Sequence, residues 1–87
     1  MLKGITSTGF AFEVPDENLD NMELLEALGD IDDGKAQMLP KAARLLLGVE
    51  QKKALYDHCR DGNGKVPIEK ATTELFEILN SGGDGKN

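Results

Sequence analysis

The chain has 87 residues, of which 30% are charged and 5% aromatic, and its formal net charge at pH 7 is −6. This length predicts one small domain. The acidic balance argues against nucleic acid as a partner, because binding to phosphates requires a basic face.

Two features of the sequence predict a soluble intracellular domain. No apolar run approaches the roughly 20 residues of a membrane span, and none follows basic residues at the N-terminus, so we expect neither a membrane partner nor a signal peptide. The single cysteine, Cys59, excludes an internal disulfide framework and fits a reducing cytoplasm.

The charges are divided along the chain. Residues 13–33 contain nine acids and no base, whereas residues 35–70 contain eight bases and four acids. One interpretation is that the two halves face each other across the fold or simply solvate it. The other is a bipolar surface that favours head-to-tail self-association or docking on a charged partner.

Residues 1–14 predict an N-terminal β segment. In "GFAFEV", Phe10, Phe12 and Val14 alternate with Ala11 and Glu13, which is typical of a strand with one buried face. The stretch "TSTG" suits a turn, so residues 2–6 are expected to pair with residues 10–14. Since a lone hairpin is marginal in water, its phenylalanine face should pack on helices.

Helical patterns follow. The first covers about residues 19–31, with an apolar stripe formed by Met22, Leu24, Leu25, Leu28 and Ile31. Pro40 suits the first position of a second helix, which ends in an apolar run at residues 45–47. Gly48 then indicates a C-cap, a bend or a point of close packing.

Two more helices complete the predicted fold. The third continues to about Arg60, and its expected buried side chains are Val49, Leu55, Tyr56 and Cys59. The fourth covers about residues 67–80, with a stripe of Ile68, Ala71, Thr72, Leu75, Phe76, Ile78 and Leu79. We therefore predict a mainly α fold: a short N-terminal β-hairpin or extended strand, then a compact bundle of about four helices. Residues 1–80 form the single small helical domain, and residues 81–87 a flexible tail.

The stretch "CRDGNGKVPIEK", residues 59–70, partly matches the sequence pattern of an EF-hand calcium-binding loop. Cys59 stands at the first position, where calcium requires an oxygen ligand, and Lys70 at the twelfth, where a glutamate is needed. The composition "DGNG" also suits a tight reversal between helices. We predict a turn without a metal.

No catalytic or cofactor site is predicted. His58 and Cys59 are adjacent, so on a helix their side chains point about 100° apart, which is poor geometry for a catalytic pair. We expect Cys59 in or near the core and His58 on the surface. A rival interpretation, a small enzyme or metal-binding domain, would use the acids Asp30, Asp32, Asp33 and Asp61.

Several segments together resemble a known family. "GFAFEVPDENLDNMELLEALGDIDDG" and "LPKAARLLLGVEQKKALYDHCRDGNGKVPIEKATTELFEIL" are similar to the small tail assembly chaperones of long-tailed phages and prophages of Gram-positive bacteria. The likeness covers about residues 9–79, and its most telling parts are "LPKAARLLLG", "EQKKALYDHCRD" and "GKVPIEK".

The resemblance implies a non-enzymatic, mostly helical protein without cofactors. Such chaperones bind and solubilise the tape-measure protein, help recruit tail-tube subunits, act in the host bacterial cytoplasm and are absent from the mature virion. The family commonly makes a longer product by ribosomal frameshifting, and "GKN" at the C-terminus is compatible with a slippery codon run at Lys86 and Asn87. That hypothesis fails if the gene has no slippery heptamer and no overlapping −1 frame.

The apolar content suggests where a client binds. The apolar residues exceed what one narrow helical stripe requires, and we predict as partner-binding residues Leu45, Leu46, Leu47, Phe76 and Leu79. The alternative is that a small core with few aromatics uses all of them. A second hypothesis for the function is an EF-hand-like, calcium-independent helical adaptor that binds an amphipathic peptide.

Overall fold

A computed structural model of the chain describes the backbone of residues 1–84 and the side chains of residues 1–81. It begins with an antiparallel hairpin of β1 (Leu2–Ile5) and β2 (Ala11–Val14), in which Leu2 lies opposite Val14. Thr6 N–H donates to the Phe10 carbonyl at 2.9 Å and closes the turn. Phe12 and Val14 are buried, and the alternate strand positions are exposed. The predicted hairpin and its buried face are confirmed.

Two helices cover the acidic segment. The single turn α1 (Asp16–Leu19) follows Pro15, and α2 (Met22–Asp32) begins after Asn21, whose Oδ1 accepts the Glu23 N–H at 3.0 Å. This side-chain cap explains why the long helix starts three residues later than predicted.

The buried face of α2 is narrower than predicted. Met22 and Leu25 are 68% and 62% exposed, whereas Leu24 and Ala27 are buried. The predicted stripe was therefore wrong at Met22 and Leu25, because the sequence period could not show that only one side of α2 packs on the rest of the fold.

A short 3-10 turn, Ala36–Met38, leads into α3 (Leu39–Cys59), which is bent at Gly48. Gly48 has φ +84° and ψ +167°, and a Cβ added there would meet no atom within 4 Å. The sequence left three roles open for Gly48. The structure shows that α3 bends at Gly48 and that Gly48 is not a close-packing position. Val49, just after the bend, is 68% exposed, so its predicted burial is wrong.

The last helix is α4 (Ile68–Asp84). It continues past the predicted end at residue 80, so residues 81–84 of the predicted tail are helical. Residues 85–87 of that tail lie outside the described residues. Ile68 is 69% exposed and is not part of the buried stripe, whereas Ala71, Leu75 and Ile78 are buried as predicted.

One hydrophobic core joins the hairpin to the helices. β2 and α1 contact α3, β1 contacts α4, and α3 contacts α2 and α4. The largest fully buried side chains are Val14, Leu46, Leu55, Leu75 and Ile78. Burial of one such aliphatic side chain contributes about 1.5–3 kcal/mol. The architecture is mainly α with an N-terminal hairpin, as predicted.

Within residues 1–84, no helix combines the length and the apolar character needed to cross a membrane.

Candidate binding sites

The loop at residues 60–67 forms the predicted turn. Asp61 Oδ1 accepts the N–H groups of Asn63 at 2.9 Å and Lys65 at 3.0 Å, and Asp61 N–H donates to the Lys65 carbonyl at 2.7 Å. Gly64 has φ +82°. The hydrogen bonds from Lys65 and Asn63 hold the pKa of Asp61 below its ordinary value. This carboxylate therefore closes the turn itself.

The acids proposed for a rival metal or catalytic site do not cluster. Asp30 lies 3.9 Å from the Lys35 ammonium, and Asp61 is committed to its own loop. In the part of the chain that the structure describes, no three His, Cys, Asp or Glu side chains are arranged as ligands of one metal ion.

The predicted partner-binding residues are separated by the fold. Leu46 and Leu47 are 0% and 4% exposed and belong to the core, so the folded protein cannot offer them to a partner. Leu45 and Leu79 are partly buried against the same core. Phe76 is also half-buried and borders a shallow depression on α4. For Leu46 and Leu47, the alternative that the core uses the apolar run is the correct one.

The structure instead shows an apolar groove of about 420 Å³ between the start of α3, the end of α3 and the start of α4. The residues that line this concavity, the apolar groove, are Ala36, Gln37, Leu39, Pro40, Tyr56, Val66, Ile68 and Ala71. Sequence reasoning missed this site because it placed Ile68 and Tyr56 on buried stripes. One feature of the sequence could have indicated the groove. Pro40 and Pro67 mark the starts of two helices, and apolar residues stand next to them at these helix ends.

One lysine lies against the apolar groove, and others stand next to its lining residues in sequence. Lys52 Nζ lies 5.5 Å from the centroid of the Tyr56 ring, which is a cation–π distance. Residues next to the lining positions in sequence include four lysines and two acids: Lys35, Lys41, Lys65, Lys70, Asp57 and Glu69. Burial raises the pKa of Tyr56 above its ordinary value. The groove is apolar inside, and the charged residues next to its lining positions in sequence are mostly basic.

A second concavity, the polar pocket, lies where the hairpin turn meets the helices. Its volume is about 340 Å³, and its lining residues are Thr8, His58, Cys59, Arg60, Lys70, Thr73 and Glu74. Thr8 is its centre: the Thr8 hydroxyl donates to Glu74 Oε2 at 2.6 Å and lies 2.9 Å from His58 Nε2 and 3.2 Å from Thr6 Oγ1.

Glu74 is the unusual side chain of the polar pocket. It is only 4% exposed, and its second oxygen, Oε1, is buried without a hydrogen-bond partner. Glu77, three residues after Glu74 on α4, also binds the hairpin turn. Its Oε2 accepts the Ser7 N–H at 2.6 Å, and its Oε1 accepts the Ser7 hydroxyl at 3.0 Å. Two carboxylates of α4 therefore hold the hairpin turn.

His58 and Cys59 have the separate roles that the sequence predicts. His58 is exposed, and its ring packs on Phe10 with the centroids 5.5 Å apart. Cys59 is buried, and burial followed by the negative charge of Glu74 raises the pKa of its thiol, against an opposing effect of Lys70. A buried thiol with a raised pKa is a poor nucleophile.

Comparison of this chain with protein-family models, with curated proteins and with solved structures finds no match.

Proposed function

We propose that this protein is a non-enzymatic chaperone that binds an amphipathic helix of an aggregation-prone client in the apolar groove. The observation that carries the proposal is the groove itself: Ile68 is 69% exposed beside Tyr56, Val66 and Leu39. An amphipathic helix laid into an apolar groove is a common mode of peptide recognition. Burial of Ile68 against the client removes its apolar surface from water.

The charges around the groove favour a particular kind of helix. Lys52 and Lys65 stand beside lining residues, so a client helix whose apolar face is bordered by acids meets complementary charge. Such pairs steer association and weaken with salt, because exposed charges are screened.

The client class comes from the sequence resemblance to tail assembly chaperones. On that basis we propose the phage tape-measure protein as the client and the tail-tube protein as a second partner. Action in the host bacterial cytoplasm, before tail completion and without incorporation into the virion, belongs to the same proposal. The long helical tape-measure protein offers many amphipathic segments, for which a shallow, open groove is better suited than a deep specific pocket.

The second candidate, a calcium-independent helical adaptor, uses the same groove. It is supported by the helix–turn–helix at residues 49–84, in which Asp61 binds backbone N–H groups of its own loop. The two hypotheses differ in the client: the chaperone recognises many segments of one long protein, the adaptor a single peptide.

The test is co-expression with a phage tape-measure protein, followed by pull-down and measurement of the soluble fraction. We expect Ile68→Asp to abolish co-purification and to return the client to the insoluble fraction. Val49→Asp is the matched control, because Val49 is equally exposed at 68% but lies outside the groove. Equal loss with both variants, or retention with both, contradicts the groove as the client site.

Overlapping synthetic peptides from the client distinguish the two candidates. Binding of several amphipathic segments with similar affinity supports the chaperone. Binding of one peptide alone supports the adaptor.

A further inference from the structure

The two outer edges of the hairpin differ in how their backbone groups are used. On the β2 edge, the side-chain amide of Gln51 is bonded to both the N–H and the carbonyl of Glu13, at 2.9 Å and 2.6 Å. Gln51 therefore takes the place of a neighbouring strand on that side. The β1 edge has no such cover among the described residues, because no hydrogen bond from another element reaches the backbone of Lys3 or Ile5.

Antiparallel pairing fixes the direction in which the backbone groups of β1 point. Residue pairs that bond to each other alternate with pairs whose N–H and C=O groups point to the outer edges. Lys3 lies opposite Glu13, whose groups point outwards to Gln51, so the groups of Lys3 point to the outer edge of β1. Ile5, two residues further along the strand, has the same direction. Two N–H and two C=O groups are therefore open on this edge.

The side chains of this edge leave it accessible. Ile5 is 70% exposed, and Lys3 is exposed as well. Natural proteins often protect an open strand edge with a charged residue, especially lysine. Here the Lys3 ammonium lies 3.9 Å from the Glu13 carboxylate, so the hairpin itself partly balances that charge. The β1 edge thus combines open backbone groups with an exposed isoleucine.

We propose that the β1 edge pairs with the β1 edge of a second copy of this chain, antiparallel and about a twofold axis. The two hairpins then form one four-stranded sheet in the order β2–β1–β1–β2. Addition of a strand to an open edge is a common mode of protein recognition. A twofold interface is closed, so the assembly stops at the dimer.

The contacts of the hairpin exclude two of the three possible registers. A register centred on Lys3 places the two lysines opposite each other, which is unfavourable. It also pairs Ile5 with the partner's Met1, whose ammonium is held by Asp16 at 2.8 Å. A register centred on Ile5 needs the N–H of Ser7, which lies past the end of β1 and donates to Glu77 at 2.6 Å.

The register centred on Gly4 uses every open group. Lys3 N–H and C=O bond to the partner's Ile5, and Ile5 bonds in the same way to the partner's Lys3. Each lysine then lies opposite an uncharged isoleucine, and its aliphatic stem covers part of that exposed side chain. This self-complementarity is the reason to assign a second copy to the edge.

The β1 edge is separate from the apolar groove and goes beyond the proposed chaperone function. No residue of β1 lines the groove. Loss of client binding by Ile68→Asp and loss of pairing through β1 are therefore independent results. Backbone hydrogen bonds carry no net charge for salt to screen, so the dimer should persist at high salt, where oligomers held by charges dissociate.

The first test measures amide hydrogen exchange of the ¹⁵N-labelled full chain at two protein concentrations in high salt. We expect exchange at Lys3 and Ile5 to be slowed about tenfold or more at about 1 mM protein relative to about 0.02 mM. Exchange at Ala11, on the covered side of the hairpin's opposite strand edge, should not depend on concentration. Rates at Lys3 and Ile5 that are equal at both concentrations overturn the proposal.

The register is tested with a mixture of ¹³C-labelled and unlabelled chains. Because the twofold axis passes between the two copies of Gly4, their Hα protons face each other at close range. We expect an isotope-filtered NOE between Gly4 Hα protons of different copies. A dimer without this NOE pairs in another way and contradicts the proposal.

Two proline variants distinguish the edges. Ile5→Pro removes an open N–H from β1 and should weaken dimerisation about tenfold or more in sedimentation equilibrium. Ala11→Pro is the matched control, because Ala11 lies opposite Ile5 and its N–H points to the other edge. Equal weakening by both variants, or by neither, contradicts pairing through β1. The NOE experiment on the unmodified chain decides the matter if the proline variants do not fold.

Discussion

The side-chain amide of Gln51 pairs with both backbone groups of Glu13, 38 residues earlier in the chain. Glu13 N–H donates to Gln51 Oε1 at 2.9 Å, and Gln51 Nε2 donates to the Glu13 carbonyl at 2.6 Å. The same Nε2 lies 3.0 Å from the Leu47 carbonyl, on the other side of the Gly48 bend. One amide thus covers the outer edge of β2 and bridges the two segments of α3, so the hairpin and the bend are mechanically linked.

Gln51→Ala should therefore destabilise the protein by about 1–2 kcal/mol, the net value of the lost hydrogen bonds. Unfolding in urea monitored by circular dichroism measures the change. Gln37→Ala is the control, because Gln37 is exposed and its side chain makes no hydrogen bond within the described residues. A loss no larger than that of the control would show that water replaces the Gln51 amide at no cost.

Replacement of Gly48 and of Gly29 by alanine should change the stability of the protein in opposite directions. Gly48→Ala should cost about 1–3 kcal/mol, because φ +84° and ψ +167° form a region that side-chain-bearing residues avoid. Gly29→Ala, in the interior of α2 with open space around it, should stabilise by about 0.5–1 kcal/mol. Thermal and urea unfolding of both variants measure the two signs. Equal effects would mean that α3 straightens in solution.

The turn at Asp61 predicts a dependence of stability on pH. Hydrogen bonds from the Lys65 and Asn63 N–H groups hold the pKa of Asp61 below its ordinary value of 3.8. A carboxyl group with a lowered pKa stabilises the folded state above its unfolded pKa, and this contribution is lost as the pH falls through the folded pKa. The wild type should therefore be more stable than Asp61→Asn at neutral pH, and the difference should shrink below about pH 4.

Urea unfolding at several pH values measures this difference. Asp20→Asn, an exposed substitution of the same charge change, corrects for the altered net charge. A difference between wild type and Asp61→Asn that stays constant down to pH 2 would contradict the role of the ionised carboxylate.

The environment of Cys59 predicts slow thiol chemistry. Burial and the charge of Glu74 raise the pKa of the thiol, and Lys70 opposes them. At pH 8, labelling with a disulfide reagent should be slower than for free cysteine, because the thiolate is the reactive form. Lys70→Gln should slow it further, and urea should restore the rate of an unfolded chain. A folded-state rate equal to that in urea would show that Cys59 is accessible.

The separation of acidic and basic residues along the sequence predicts that the protein self-associates. The exposed Met22 and Leu25 lie on acidic α2, whereas Lys52 lies 5.5 Å from the Tyr56 ring of the apolar groove. We expect concentration-dependent oligomers at low salt that dissociate as salt screens the charges. Sedimentation velocity measures this directly, with Leu25→Ser expected to weaken assembly. A chain that stays monomeric at high concentration and low salt contradicts it.

The elements of the fold are predictable from the sequence because their signals are local. Alternation at residues 10–14, the helical periods, the break at Gly48 and the "DGNG" reversal each depend on neighbouring residues. A period shows which residues share a face of an element. The side chains at Leu55, Ala71, Leu75 and Ile78 are buried because their stripes face the core.

Only the tertiary structure decided which apolar faces are covered and which polar groups meet. Met22, Leu25, Val49 and Ile68 have apolar side chains that remain more than 60% exposed among the described residues. The bonds of Gln51 with Glu13 and of Thr8 with Glu74 join residues 38 and 66 positions apart. Such pairings depend on how the hairpin lies on α3 and α4, which no local pattern contains, so the groove and the polar pocket emerge only when the elements pack.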